Sequence, residues 1–153
     1  MPYDDTQVVR YLHQAHDTAL LTEREKRLVG LAVTMTRGCQ VCTRNRIEKA
    51  RAAGLSDDQI RNLNWYAESN LFDPDQKLVL ELADAMTATP AQVTPQLRER
   101  LKQRFSTPQL VELGAAIAWE NYRARSNRVF GFGSEGFYKT ESEKTVRDET
   151  LVG

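Results

Sequence analysis

Hydrophobic positions along the chain recur at the spacing of α-helices. In the stretch "LTEREKRLVGLAVTM", apolar residues that share one helix face fall three or four apart, at Leu28, Leu31, Ala32 and Met35. Thr22 precedes this pattern and Glu25 follows three residues later, which is the signature of an N-terminal capping box. Arg37 and Gly38 predict that the helix ends immediately before Cys39.

Similar signals predict further helices downstream. A second helix is expected to begin at Cys39 and Cys42 and to end at Gly54, and Ser56 with Gln59 marks the start of a short third helix. Three later helices are predicted to begin with a capping residue followed by proline at the first helical position: Asp73-Pro74, Thr94-Pro95 and Thr107-Pro108.

No stretch alternates between apolar and polar residues as a β-strand would. Together with a helix predicted from Asp4 to Leu20, the patterns indicate an all-α fold of about seven helices. We expect a single domain over residues 1–132 and a polar tail over residues 133–153, which is either disordered or laid as an arm on a neighbouring subunit. Phe137 and Tyr138 favour the arm, because a fully solvated tail has little use for aromatic side chains.

Length, charge and the lack of long apolar runs narrow the function classes. The 153 residues are enough for a core that needs no disulfides. Lys and Arg together number 21, as do Asp and Glu, so no excess charge points to nucleic acid or to an anionic membrane. The N-terminus does not resemble a signal peptide, and no apolar run approaches the ~18–20 residues of a membrane span. These features predict a soluble, cytoplasmic protein.

The two cysteines of the chain, Cys39 and Cys42, stand three residues apart at the predicted start of the second helix. In a reducing cytoplasm, this C-x-x-C spacing favours redox chemistry or metal binding over a structural disulfide. The dipole at a helix start stabilises a thiolate, as do nearby cations. Arg37, Arg44 and Arg46 flank the pair, and Arg46 follows Cys42 by four residues, on the same helix face. The pattern therefore predicts a dithiol in which one cysteine attacks and the other resolves.

Two other interpretations of the cysteine pair stay open. Both cysteines could be small buried side chains without chemistry, as free cysteines often are. They could instead join His13 and His16, the only histidines of the chain, in a tetrahedral zinc site. A structural zinc ion typically clips a domain too small for its own core, which this chain is not, so we predict neither a metal nor a cofactor.

The block "LTEREKRLVGLAVTMTRGCQVCTRNRIEKARAAGLSDDQI" resembles the carboxymuconolactone decarboxylase superfamily, and more narrowly its AhpD-like alkylhydroperoxidase branch. The downstream sequence from "FDPDQK" to "NRVFG" is similar to the rest of that domain, so the resemblance covers about residues 20–132. It implies an all-helical fold, assembly into trimers or hexamers, and reduction of hydroperoxides by the cysteine pair. In that branch the second cysteine attacks the peroxide and the first resolves it, roles that fall here on Cys42 and Cys39.

The resemblance also implies a glutamate and a histidine that relay protons, and both positions differ here. The glutamate position, twelve residues before the first cysteine, is Arg27, and the histidine positions are Asn45 and Arg46. Arginine stays protonated in proteins, so it does not serve in a proton relay. We expect Arg46 to act electrostatically instead, by holding Cys42 as a thiolate and binding a polarised oxygen.

These observations lead to three hypotheses of function. In the first, the chain is a thiol-dependent peroxidase or disulfide oxidoreductase with an antioxidant role: Cys42, Cys39 and Arg46 act on a small hydroperoxide, and an external dithiol or protein reductant restores the pair. In the second, it is a decarboxylase of a small cyclic acid whose carboxylate binds Arg27 and Arg46, although that branch normally lacks C-x-x-C. In the third, it is a non-catalytic oligomeric sensor or binding protein whose disulfide reports oxidation.

Overall fold

The computed structural model describes residue 10, residues 20–38 and residues 40–129, except for the side chains of residues 40–42 and 45. This part of the chain is all-helical and contains no strand, which confirms the predicted fold class. None of its helices is long and apolar enough to cross a membrane. Its elements are α1 (Glu23–Thr36), α2 (Gln40–Ala52), α3 (Asp57–Arg61), a 3₁₀ turn (Leu63–Trp65), α4 (Pro74–Thr87), α5 (Pro95–Arg104) and α6 (Thr107–Val129).

Most of the helices begin at the capping residues that the sequence indicates. Thr22, Ser56 and Asp73 each form a complete capping box with the residue three positions on. Thr94 caps α5 with its hydroxyl, which accepts from a backbone N–H in the first turn at 3.2 Å. The helix predicted from Asp4 to Leu20, apart from residues 10 and 20, and the tail over residues 133–153 lie outside the described residues.

The start of α6 differs from the prediction by one residue. The helix begins at Thr107, so Thr107 is not its cap. Ser106 takes that role: its hydroxyl accepts from the N–H of Gln109 at 3.3 Å, and the Gln109 side chain accepts from the N–H of Ser106 at 2.9 Å. Pro108 therefore stands at the second helical position, where its lack of an N–H still costs no hydrogen bond.

α1 is the central helix of the fold because two of its faces are buried. Leu28, Leu31 and Ala32, on the predicted inward face, pack in a cluster with residues of α2, α3 and α4. Val29 and Val33, on a second face that the pattern did not single out, pack with residues of α4, α5 and α6. The end of α1 that leads to the cysteines is therefore held from both sides.

Candidate functional site

α1 ends in a turn at Arg37 and Gly38, immediately before the first cysteine in sequence. Gly38 closes α1 in a left-handed conformation, with a φ of 64°, which costs glycine less than any other residue. Its N–H donates to the carbonyl oxygen of Met35 at 3.0 Å. α2 then begins at Gln40, so Cys42 lies in its first turn, as the sequence predicts. Cys39 and the side chain of Cys42 lie outside the described residues.

The first turn of α2 is a favourable place for a thiolate. Its N–H groups have no partner within the helix, and the dipole of the helix places partial positive charge at this end. α2 has 13 residues and carries no acidic residue in its first turn, so no formal charge of the helix start opposes a negative sulfur. The backbone thus offers the setting that a reactive thiol needs.

Arg46, one turn after Cys42, is buried and forms an ion pair with Glu120 of α6. Arg46 Nε donates to Glu120 Oε2 at 3.2 Å, and Arg46 Nη2 donates to Glu120 Oε1, so the carboxylate is held by two bonds. Each residue is 6% exposed. The carboxylate packs over Gly30 of α1, where a Cβ atom would stand 3.5 Å from Glu120 Oε1. The pair therefore ties α2 to α6 across α1.

Glu120 balances the charge of Arg46, and it is the residue that the sequence prediction missed. Glu120 falls on the face of α6 that also carries Leu113, Ala116 and Ile117, all buried. The sequence did contain a signal for Glu120, because it is an acidic residue at a position where helical spacing predicts a core residue.

Arg27, at the glutamate position of the family, does not join this ion pair. Its Nη2 lies 2.8 Å from Oε2 of Glu23, one turn earlier on α1, and both side chains reach solvent. Near the pair, burial and then the charges of Arg46, Arg27 and Arg123 lower the pKa of Lys49, whereas the charge of Glu120 raises it.

A cavity of about 400 Å³ lies beside the start of α2. Met35, Gly38, Thr43, Arg44, Ile47 and Asn64 line it. Two of these residues, Gly38 and Thr43, directly precede and follow the C-x-x-C segment in sequence. Its walls are mainly apolar, with polar groups from Arg44 and Asn64, which suits a small organic molecule better than a fully hydrated ion.

A second cavity of about 380 Å³ shares Asn64 with the first and is lined also by Tyr66 and Asp84. The Tyr66 hydroxyl donates to Asp84 Oδ2 at 2.8 Å. Burial, and then this hydrogen bond, raise the pKa of Tyr66 above its usual value, so the phenol stays protonated and acts as a donor. Trp65 is 63% exposed, so it lies on the surface rather than in the core.

The structure does not test the zinc hypothesis. His13, His16 and Cys39 lie outside the described residues, as does the side chain of Cys42. Among the residues that are described, no group of three or more His, Cys, Asp or Glu side chains is arranged to hold a metal ion. The roles predicted for Cys42, Cys39 and Arg46 likewise stay predictions.

Two kinds of sequence comparison bear on this site. The profile of the carboxymuconolactone decarboxylase family matches residues 6–85, just over half of the chain. The uncharacterized protein YnjA of Escherichia coli (strain K12) is 31% identical over 108 residues, 70% of this chain and 59% of that protein. The uncharacterized protein YdfG of Bacillus subtilis (strain 168) is 29% identical over 93 residues, 60% of this chain and 62% of that protein. The chain thus spans about three fifths of the length of these relatives.

Solved structures share the fold. A protein of unknown function from Agrobacterium tumefaciens, provisionally assigned as the antioxidant defence protein AhpD, has a TM-score of 0.76 at 23% identity over 86% of this chain and 90% of that one. The debrominase Bmp8 has a TM-score of 0.67 at 18% identity, over 74% of this chain and 61% of its own. A cysteine-to-alanine variant of Bmp8 in complex with 2,3,4-tribromopyrrole reaches 0.70 at 16% identity, over 94% and 72%. At such identities these similarities establish the fold and not the reaction.

The family profile spans α1 and α2 whole, includes Cys39 and Cys42, and ends within α4. α6, with Glu120, lies beyond the matched segment. The helical fold of the Agrobacterium protein extends the likeness over the rest of the domain. The chain therefore belongs to the carboxymuconolactone decarboxylase family.

Proposed function

We propose that this chain is a thiol-dependent peroxidase of the AhpD-like type, with Cys42 and Cys39 as its redox pair. The observation that carries the proposal is the position of Cys42 in the first turn of α2, three residues after Cys39 in sequence, within a fold shared with the AhpD-like protein of Agrobacterium. Membership of the family supports an antioxidant role. The substrate would be a small organic hydroperoxide in the cavity beside the helix start, and an external dithiol would be the reductant.

The reaction divides into three steps. The Cys42 thiolate attacks one oxygen of the hydroperoxide and breaks the O–O bond, and the departing alkoxide takes up a proton to become an alcohol. The Cys39 thiol then attacks the sulfenic acid on Cys42, which forms the disulfide and releases water. The external dithiol reduces this disulfide and becomes a disulfide itself. Each cycle thus moves two electrons from the dithiol to the peroxide, without a bound cofactor.

In this proposal Arg46 supplies charge and not a proton. It follows Cys42 by one turn, and helical side chains lean toward the N-terminus of their helix, which here is the cysteine end. Because Arg46 belongs to α2 and Glu120 to α6, the ion pair presents its positive end to the cysteine helix. A positive group already fixed by two hydrogen bonds stabilises a developing or formed anion without having to reorganise.

The partners of the two arginines argue against the decarboxylase hypothesis. That hypothesis needs Arg27 and Arg46 to bind the carboxylate of a substrate. Arg27 pairs with Glu23 and Arg46 with Glu120, so an acid of the chain already balances each charge. Binding a second carboxylate at Arg46 would also require a buried ion pair to open, which is costly.

The test is a turnover assay with reduced protein, an organic hydroperoxide and excess dithiothreitol as the dithiol. We expect repeated conversion of peroxide to alcohol by the wild type and no activity in Cys42→Ser. Cys39→Ser can form the sulfenic acid but not the internal disulfide, so we expect it to turn over more slowly. Glu48→Gln, on the exposed face of α2, is the matched control and should behave as the wild type.

Two outcomes would redirect the interpretation. Activity that survives in Cys42→Ser would refute the peroxidase proposal. One oxidation event per chain, without recycling by the dithiol, would support the sensor hypothesis in its place.

A further inference from the structure

Three arginines that pair with none of the described acidic residues meet where α1 and α6 end. Arg37 follows α1, while Arg125 and Arg128 lie toward the end of α6. None of the three takes part in a salt bridge in the part of the chain that the structure describes. By contrast, Arg27 and Arg46, which the sequence suggested as anion binders, each form an ion pair with an acid of the chain.

Neutral groups hold the three guanidinium groups in place. Arg37 Nε donates to Asn121 Oδ1 at 3.0 Å, and Arg125 Nη2 donates to Thr89 Oγ1 at 2.8 Å. Arg128 Nη2 donates to the main-chain carbonyl of Arg37. Positions 121, 125 and 128 are four and three residues apart, so they share one face of α6. The helix C-termini contribute only partial negative charge, which does not neutralise three cations.

Arg37 has a donor that the described residues do not satisfy. Its Nη2 atom is buried and has no hydrogen-bond partner in the part of the chain that the structure describes, which is a costly state for a charged group. Burial, and then the charges of Arg125 and Arg128, lower the pKa of Arg37. An anion at this point would accept from Arg37 Nη2 and offset the mutual repulsion of the arginines.

We propose that Arg37, Arg125 and Arg128 form a binding site for a phosphate-type oxyanion, either free phosphate or the phosphate group of a larger molecule. Guanidinium groups match phosphate oxygens in forked pairs. Three positive charges favour a dianion over a monoanion. The Thr89 hydroxyl, which already accepts from Arg125, can add a donor, and exposure of Arg125 and Arg128 leaves the site open to solvent.

This site is separate from the dithiol chemistry. Arg37 lies two residues before Cys39, but the proposal requires no redox reaction and is tested without one. Arg125 and Arg128 also lie beyond the segment that the family profile matches. The site is therefore inferred from the contacts of this chain alone.

The experiment is calorimetric titration of the full chain with inorganic phosphate, at constant ionic strength maintained with sodium chloride. We expect saturable binding by the wild type, and binding weaker by about tenfold or more in Arg125→Gln and Arg128→Gln, since each loses a charged hydrogen-bond donor. Arg98→Gln, which changes an exposed arginine of α5, should bind as the wild type. A second titration uses glycerol phosphate. Tighter binding of glycerol phosphate than of inorganic phosphate would assign the site to the phosphate group of a larger ligand, and equal affinity for the two would assign it to free phosphate.

Three results would overturn the proposal. The first is the lack of saturable phosphate binding by the wild type, and the second is a loss of phosphate affinity in Arg98→Gln as large as in Arg125→Gln. The third is an oligomer of the wild type that does not bind phosphate and that dissociates in Arg125→Gln, which would assign the arginines to a subunit contact. Circular dichroism of each variant separates lost binding from lost fold, and Arg125→Lys, which keeps the charge but not the fork, should bind with intermediate affinity.

Discussion

The two buried ion pairs of α6 look alike but lie in different surroundings. Glu112 is 0% exposed, and its Oε1 lies 2.7 Å from the ammonium of Lys26. Its Oε2 also accepts from the backbone N–H groups of Leu20 at 2.7 Å and Leu21 at 3.2 Å. Glu120, two turns later on the same helix, bonds Arg46 of the cysteine helix by both oxygens.

Glu112 therefore holds backbone groups in place, whereas Glu120 positions the charge of Arg46. Removal of Glu112 would break the ion pair with Lys26 and leave two backbone N–H groups without this acceptor, at the point where the chain enters α1. Removal of Glu120 would release a single guanidinium group. In our account, therefore, the Lys26–Glu112 pair serves the fold, whereas the Arg46–Glu120 pair serves the dithiol.

The largest effect is expected at the first of these pairs. Glu112→Ala breaks a buried ion pair and removes the acceptor of two backbone N–H groups, so we expect a loss of about 3–5 kcal/mol in the free energy of unfolding. Urea denaturation measures it. Glu99→Ala, which breaks an exposed pair with Lys102, is the control and should change little. A loss no greater than that of the control would show that Glu112 is not an anchor.

Replacing each whole pair with apolar residues sharpens the comparison. Lys26→Met/Glu112→Leu still leaves two backbone N–H groups without their acceptor, so we expect it to lose about 1–3 kcal/mol of stability. Arg46→Met/Glu120→Leu removes both members of a pair that bond each other, and no described backbone N–H loses an acceptor, so we expect a change of less than about 1 kcal/mol, or a gain. Urea unfolding of both double variants checks this. Equal losses would contradict the distinction.

In thiol reactivity, we expect the larger effect in the double variant that changes stability less. Loss of the Arg46 guanidinium should slow oxidation of Cys42 by an organic hydroperoxide about fivefold, which corresponds to about 1 kcal/mol in the activation free energy. Stopped-flow measurement in Arg46→Met/Glu120→Leu gives this rate. Lys26→Met/Glu112→Leu is the matched control and should react at the wild-type rate at a temperature where it is folded. A similar rate in both would mean that Arg46 plays no part in the chemistry.

The smallest effect concerns two helical glycines near these pairs. A Cβ at Gly30 would meet Glu120 Oε1 at 3.5 Å, an ordinary contact, and a Cβ at Gly114 would meet nothing within 4 Å. We expect both Gly30→Ala and Gly114→Ala to raise thermal stability by about 0.5–1 kcal/mol, because alanine favours helix. If Gly30→Ala were destabilising and Gly114→Ala were not, the Glu120 carboxylate would need the space that a Cβ at position 30 occupies.

Much of the fold could be predicted because its signals are local. The capping boxes at Thr22, Ser56 and Asp73 involve residues three positions apart, and the sequence shows such spacing directly. The cap of α6 was predicted wrongly because Thr107-Pro108 has the same form as Thr94-Pro95. The choice between two adjacent hydroxyls depends on which one meets Gln109, and that is decided by the folded backbone.

The candidate site was predictable only where it is local. The C-x-x-C pair and Arg46 lie within one segment, so the sequence predicts their order on α2. Glu120 is 74 residues from Arg46, and their contact depends on how α2 and α6 pack on α1. The same limit applies to Arg37 and the arginines of α6, which are distant in sequence and meet only at the ends of two helices.

The central claim is that the cysteine pair at the start of α2 is a working dithiol. Its most direct test is mass spectrometry of the reduced protein after exposure to one equivalent of an organic hydroperoxide and alkylation of the remaining thiols. Our account predicts an internal Cys39–Cys42 disulfide in the wild type and a sulfenic acid on Cys42 in Cys39→Ser. Two alkylated thiols in the wild type would contradict it.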